Sequence, residues 1–297
     1  MSSIQKIETI AHYNELKEVK NRHPLITCFD SAYAKPLSSG KFNFGFYAIF
    51  LKGVNCGELK YGRNTYDYEA GTLVFMGPGQ AVEIKSQKDY NPKGWGLLFH
   101  PDFIKGTPLA ARIYDYTFFS YDLNEALHIS EKEEQIVIDL LNKINYELDQ
   151  SIDKHSKLIV CNTIELLLNY CERFYERQFI TRENLNKGVL TNFERLLNTY
   201  FSSEKPQKMG LPTVSYFAEE LHLSANYLGD LIKKETGKSA IDHIHLKLID
   251  LAKDRIFDVD RSISEIAYEL GFKYPQHFNR FFKKSTGMTP SAYKNSN

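Results

Sequence analysis

VSYFAEELHLSANYLGDLIKKETG, from Val214 to Gly237, returns further along the chain as ISEIAYELGFKYPQHFNRFFKKSTG, from Ile263 to Gly287. The offset is 49 residues from Val214 through Leu223 and 50 from Tyr227 onward. Repetition this dense marks a duplicated supersecondary unit. Each copy reads as an amphipathic helix, a short turn and a second helix. Ala218 and Ala267 supply the small side chain needed where two helices cross closely, and Leu221 with Leu223, or Leu270 with Phe272, bury the turn. Gly271 suits a turn with positive φ. His222 holds that place in the first copy, so its turn is expected to be slightly strained or differently shaped.

The second helix of each unit carries an apolar stripe at i, i+3 and i+4: Leu228, Leu231 and Ile232 in one copy, Phe278, Phe281 and Phe282 in the other. The opposite face is left free. In the second copy that face offers Lys273, Tyr274, Gln276, His277, Asn279, Arg280 and Lys283. Arginine grips guanine O6 and N7 bidentately, and Gln or Asn does the same for adenine N6 and N7. Lys283 and Lys284 suit phosphates, which set register. In the first copy the corresponding candidates are Ser224, Asn226, Gly229, Asp230 and Lys233. A polar helix face is ordinarily just solvated, but here it occurs twice and beside a basic terminus. The whole chain is neutral, with 37 basic and 37 acidic residues. Yet from Gly271 to Asn297 there are five basic residues and no Asp or Glu, which is the local positive face that phosphate contact requires.

On these residues the chain resembles the AraC/XylS family of transcription regulators across 211–297. The matches are Ile263-Ser-Glu-Ile-Ala267, Leu270-Gly-Phe272, Phe278, Phe282-Lys-Lys284, Thr286-Gly287 and Thr289-Pro-Ser291. The resemblance implies a helix from about Ala240 to Phe257 linking the units, so that two recognition helices enter successive major grooves about 34 Å apart. One departure stands out. Where the family often has a polar residue and an arginine on the first recognition helix, this chain has Gly229 and Asp230. Asp230 either accepts from cytosine N4 or leaves the first unit to touch DNA through Ser224, Asn226 and Lys233. The second unit is then expected to carry more of the specificity, unless a partner or ligand orders the first.

Upstream, Ser202 to Gly210 lacks periodicity and contains Pro206 and Gly210, so it reads as an exposed linker. Before it lie segments of 3.6-residue period, and Ser130 with Glu133 forms a capping-box pattern that starts a helix near Glu131. A further helix is expected from about Glu183 to Phe201. Residues 40–106 hold 11 of the 17 glycines between short aromatic and β-branched runs, which read as an antiparallel sandwich or barrel. The N-terminus has no apolar signal core, and no run is long enough to span a bilayer, so a cytoplasmic protein is expected. Cys28, Cys56, Cys161 and Cys171 lack CxxC spacing and read as buried thiols.

These readings give an α+β multidomain chain: a β-rich part at 1–125, helices at 126–201, a flexible linker at 202–210 and an all-α double helix-turn-helix at 211–297. The resemblance implies that the first part is a cupin-like antiparallel β-barrel holding a small-molecule effector, and that the helices serve dimerisation. Tyr47, Tyr61, Tyr66 and Trp95 could line such a pocket or simply fill the core. A metal enzyme on this scaffold needs converging His and Glu ligands, and 29–103 holds His100 but no HxH pair. No metal, cofactor or catalytic role is therefore expected. The apolar stripe of the helices at 131–177 could face the β part or a second subunit. The expected partners are double-stranded DNA, a second copy of the chain, the effector and RNA polymerase, which an activator would contact. The alternative is a constitutive regulator whose barrel serves only dimerisation or protein contact.

Overall fold

The computed structural model describes residues 4–53, 71–84, 94–122, 125–151, 153–181, 183–258 and 260–296. They form two compact units, Met1–Thr181 and Arg182–Asn297.

In chain order the first unit holds β1 (Gln5–Ile7), α1 (Ile10–Lys17), β2 (Ile26–Asp30), β3 (Gly40–Phe44), β4 (Tyr47–Gly53), β5 (Gly71–Met76), β6 (Ala81–Ile84) and β7 (Gly94–Phe99). Then come α2 (Pro101–Ile104), α3 (Pro108–Arg112), β8 (Leu127–Ile129), α4 (Glu131–Asp149) and α5 (Ser156–Thr181). The closed antiparallel barrel expected from sequence is not what the described residues form. They make a three-stranded sheet in the order β1-β3-β6 and a five-stranded sheet in the order β2-β7-β4-β5-β8, with β1 parallel to β3. Strand pairing is a non-local choice, which glycine spacing and β propensity do not determine.

β4 is paired on both edges, so its run Tyr47-Ala-Ile-Phe-Leu51 is apolar throughout rather than alternating. One buried cluster joins both sheets, drawing Phe42 and Phe44 from β3, Phe29, Ala48, Met76 and Leu98 from the larger sheet, and Ile10 and Tyr13 from α1. The other face of the larger sheet presents a cross-strand row of Cys28, Leu97, Ile49 and Phe75. Helices α4 and α5 cover this side: Cys28 Sγ donates to the Leu141 carbonyl at 3.5 Å, and the Phe75 ring lies 6.1 Å from that of Tyr175. The stripe of Val137, Leu141 and Ile144 is therefore buried within the chain. α4 starts at the Ser130–Glu133 capping box as its sequence predicts.

The second unit is helical: α6 (Glu183–Phe201), α7 (Lys205–Met209), α8 (Val214–Glu220), α9 (Ala225–Thr236), α10 (Ala240–Ile256), α11 (Ile263–Glu269), α12 (Pro275–Thr286) and α13 (Pro290–Ser296). Two expectations change here. α6, read as part of the dimerisation segment, belongs to this unit, because it buries Phe193, Leu197, Tyr200 and Phe201, with Phe193 edge-on to Phe217 at 5.2 Å. And 202–210 is not a free linker. It contains α7, opened by Pro206 in its first turn and ended by Gly210 at φ 88°. α10 begins at a Ser239–Asp242 capping box and ends at Ile256, one residue before its expected end, with Ile244, Leu248, Ile249, Ala252 and Ile256 buried.

Candidate nucleic-acid interface

Both repeats fold as helix, turn, helix. α8 is capped by the Thr213 hydroxyl, and α11 by Ser262 in a capping box with Glu265, whose carboxyl those hydrogen bonds hold below its usual range. The two turns close identically. The Leu223 amide donates to the Ala218 carbonyl and the Phe272 amide to the Ala267 carbonyl, each at 2.9 Å. His222 adopts φ 57° and Gly271 φ 95°. The first turn thus keeps the shape of the second and carries the strain of a left-handed non-glycine residue, a cost of about 1–2 kcal/mol. Ala218 and Ala267 are buried at the crossings.

The recognition helices then turn their apolar sides inward. Leu228, Leu231 and Ile232 are buried on α9, Phe278 and Phe282 on α12. Phe281 is only half-buried, packed against the rings of His245 at 5.3 Å and Phe272 at 5.7 Å. On the outer side of α12, Gln276, His277, Asn279, Arg280 and Lys283 are all exposed, with Lys273 and Tyr274 exposed at its N-terminus. The structure brings every one of the second unit's candidates onto one surface. The Tyr274 ring is fixed between the Lys273 ammonium, 5.7 Å from its centroid, and the edge of His277 at 5.5 Å.

Electrostatics separate this surface from its surroundings. Arg261 pairs with Glu269 at 2.6 Å and with Asp258 at 3.1 Å, and Arg255 approaches Glu269 at 3.6 Å. Among the described residues, Arg280 and Lys283 have no such partner. They stand at the surface where a polyanion would supply it.

On α9, Asn226 and Lys233 are exposed and Gly229 and Asp230 half-buried, forming one stripe at i, i+3, i+4 and i+7. Asp230 is engaged by an interaction within the protein. Ser224 is the N-cap: its hydroxyl accepts from the Tyr227 amide at 3.2 Å, a structural duty its place among the candidates did not anticipate. What the sequence missed is the support behind the second turn. The backbone of Pro206 and Gly210 lies against Gly271, and the Tyr200 hydroxyl donates to the Gly210 carbonyl at 2.9 Å. Pro206 and Gly210 were the available signals, being a first-turn proline and a helix-ending glycine.

In the first unit, Tyr47 is buried against Phe99 at 5.1 Å and Phe119 at 5.0 Å, a core position. Trp95 lines a cavity of about 370 Å³ with Arg22, Phe29, Asp30 and Tyr33. Tyr61 and Tyr66 lie outside the described residues. Near this cavity Lys17 is 8% exposed with its ammonium 6.0 Å from the Phe29 centroid, and burial lowers its pKa to about 8. Cys28, Cys161 and Cys171 are buried free thiols. Among the described residues no group of three or more His, Cys, Asp or Glu could hold a metal, and no helix is long and apolar enough to cross a membrane.

Residues 217–296 match a family described as a helix-turn-helix domain. Over 256 residues the chain is 33% identical to the uncharacterized HTH-type transcriptional regulator YobQ of Bacillus subtilis (strain 168), covering 82% of this chain and 95% of that protein. It is 26% identical over 166 residues to the uncharacterized HTH-type transcriptional regulator YtdP of the same organism, covering 53% of this chain but only 21% of YtdP. The C-terminal domain of AraT, a response regulator from Geobacillus stearothermophilus, is similar in structure at 26% identity, with a TM-score of 0.33, over 37% of this chain and 85% of that one.

Proposed function

The chain belongs to the AraC-type helix-turn-helix transcription regulators, which bind DNA and are not enzymes, and from that premise we propose how it reads its operator. α9 and α12 each enter a major groove, one helical turn apart on the same face of the duplex. Gln276, Asn279 and Arg280 contact base edges, while Lys273, Lys283 and the Tyr274 hydroxyl hold the backbone. His277 braces Tyr274 and borders the groove. On the other helix Asn226, Gly229 and Asp230 face bases and Lys233 a phosphate, and Ser224 fixes where that helix starts.

The observation that carries this reading is the exposed stripe of α12, whose Arg280 and Lys283 have no ion-pair partner among the described residues, although the arginines next to α11 are all paired. A small-molecule effector held by the first unit, in a cupin-like arrangement around Trp95, shifts how the head is presented. A homodimer, working in the cytoplasm with RNA polymerase as its further partner, doubles the DNA contacts by symmetry.

Selection of random duplexes by the full chain, with Arg280→Ala alongside, tests the reading. Two short blocks about 10 base pairs apart, one relaxed by the substitution, are the expected result. Binding without a motif, fading as salt rises, would leave only non-specific phosphate contact and would sink it.

A further inference from the structure

The one-residue change of offset between the repeats falls at the turn, so every position along α9 has a counterpart 50 residues later on α12. Gly229 matches Asn279, and Asp230 matches Arg280. Both turns close with the same 2.9 Å hydrogen bond and both helices turn the matched apolar stripe inward, so these pairs hold matching places on their helices, with Asn279 and Arg280 exposed and Gly229 and Asp230 half-buried. What they present is opposite in charge and in reach.

We propose that the two recognition helices read unlike half-sites, Asp230 taking a cytosine in one groove and Arg280 a guanine in the other. The proposal rests on the DNA-reading role given above and specifies its chemistry. In the major groove guanine shows two acceptors and thymine one, which repel a carboxylate. Cytosine shows a lone N4 donor, which a carboxylate accepts. Asp230 thus rejects the base that Arg280 selects. Asp230 is half-buried and engaged by an interaction within the protein, and a carboxylate has about four lone-pair sites, so a single hydrogen bond does not exhaust its acceptor capacity.

Reach decides whether so short a side chain can read at all. An aspartate carboxylate ends much nearer its helix than a guanidinium does, so α9 must come closer to the base edges than α12. Gly229, one residue before Asp230, provides for that. A Cβ built there meets nothing within 4 Å, so at Gly229 no side chain of its own holds a partner away from the helix backbone. On α12 the matched Asn279 and Arg280 are long enough to read from further out. Gly229 and Asp230 work as a pair, one allowing the approach and the other making the contact, and the head as a whole has a direction along DNA.

The test is selection from random duplexes by the full chain as wild type, Asp230→Asn, Asp230→Arg and Arg280→Ala, each checked for native circular dichroism. The wild type is expected to enrich a guanine in the block that Arg280→Ala relaxes and a cytosine in the other. Asp230→Arg moves that cytosine to guanine, and Asp230→Asn moves it to adenine, while the Arg280 block stays as it was. On single duplexes, replacing that cytosine by guanine weakens the wild type about 10-fold and is tolerated by Asp230→Arg. A motif whose second block keeps the same preference in both Asp230 variants overturns the proposal but leaves the DNA-reading role standing. No motif with any variant overturns both.

Discussion

Gly271 and Gly210 meet backbone to backbone: a Cβ built on Gly271 would lie 2.8 Å from both the carbonyl carbon and the oxygen of Gly210, and 3.0 Å from the Pro206 carbonyl oxygen. Gly271 also holds φ 95°. Two independent requirements, a left-handed backbone and a contact too close for any side chain, fall on one residue. Gly271→Ala is therefore expected to destabilise the DNA-reading unit by about 2–4 kcal/mol, read as a lower denaturant midpoint at unchanged m-value. A loss below 0.5 kcal/mol would show that α7 does not dock there.

The matched position in the first repeat behaves oppositely. His222 has the left-handed φ but is exposed. His222→Gly removes the backbone strain at the cost of a more flexible unfolded chain, for a net gain of about 0.5–1 kcal/mol in chemical denaturation. A destabilised variant would mean that the imidazole's own interaction outweighs the backbone term.

Lys17 gives the first unit a dependence on alkaline pH. Its folded pKa, about 8, lies below the ordinary value of 10.5, so between those values the unfolded chain holds a proton that the folded chain has released. Stability then rises with pH across that window. Lys17→Met, which keeps the length and the contact with Phe29, is expected to add about 1–3 kcal/mol at neutral pH and to flatten the rise. Urea titrations at several pH values check both, and parallel pH profiles for the two proteins would remove Lys17 as the cause.

Lys283, exposed and without an ion-pair partner among the described residues, is proposed above to hold a phosphate. Lys283→Ala should weaken binding to all sequences alike and reduce the slope of log K against log salt by about 1. Unlike Arg280→Ala, it leaves the selected motif unchanged. A slope equal to that of the wild type would show that no counterion is released at this site.

How much of this was legible depends on the range over which each signal acts. The paired units, the apolar stripes and the capping box at Ser130 are local patterns written within a few turns of helix, and Val137, Leu141 and Ile144 fall where a 3.6-residue period puts them. The candidate face was legible for the same reason, since Gln276, Asn279, Arg280 and Lys283 lie together on α12 through their spacing alone. α7 was not, because five residues are too few to show a period. Nor was the company α6 keeps, since Phe193 would look the same in sequence whichever neighbour it packed on. The parallel pairing of Gln5 with Phe42 was not legible either, because it joins residues that no local pattern connects.

α10 sets a further constraint on how this head can evolve. On the proposed reading, seventeen residues of continuous helix, pinned by a capping box at one end and buried along the side of Ile244, Leu248, Ala252 and Ile256, act as a ruler between α9 and α12. Adding one residue would lengthen it by only about 1.5 Å but would rotate everything beyond by about 100°, swinging α12 out of phase with its groove. The bases read at either end can therefore drift through single substitutions on α9 or α12, while the gap between them is locked. Operators for relatives of this protein should differ in their letters long before they differ in their spacing.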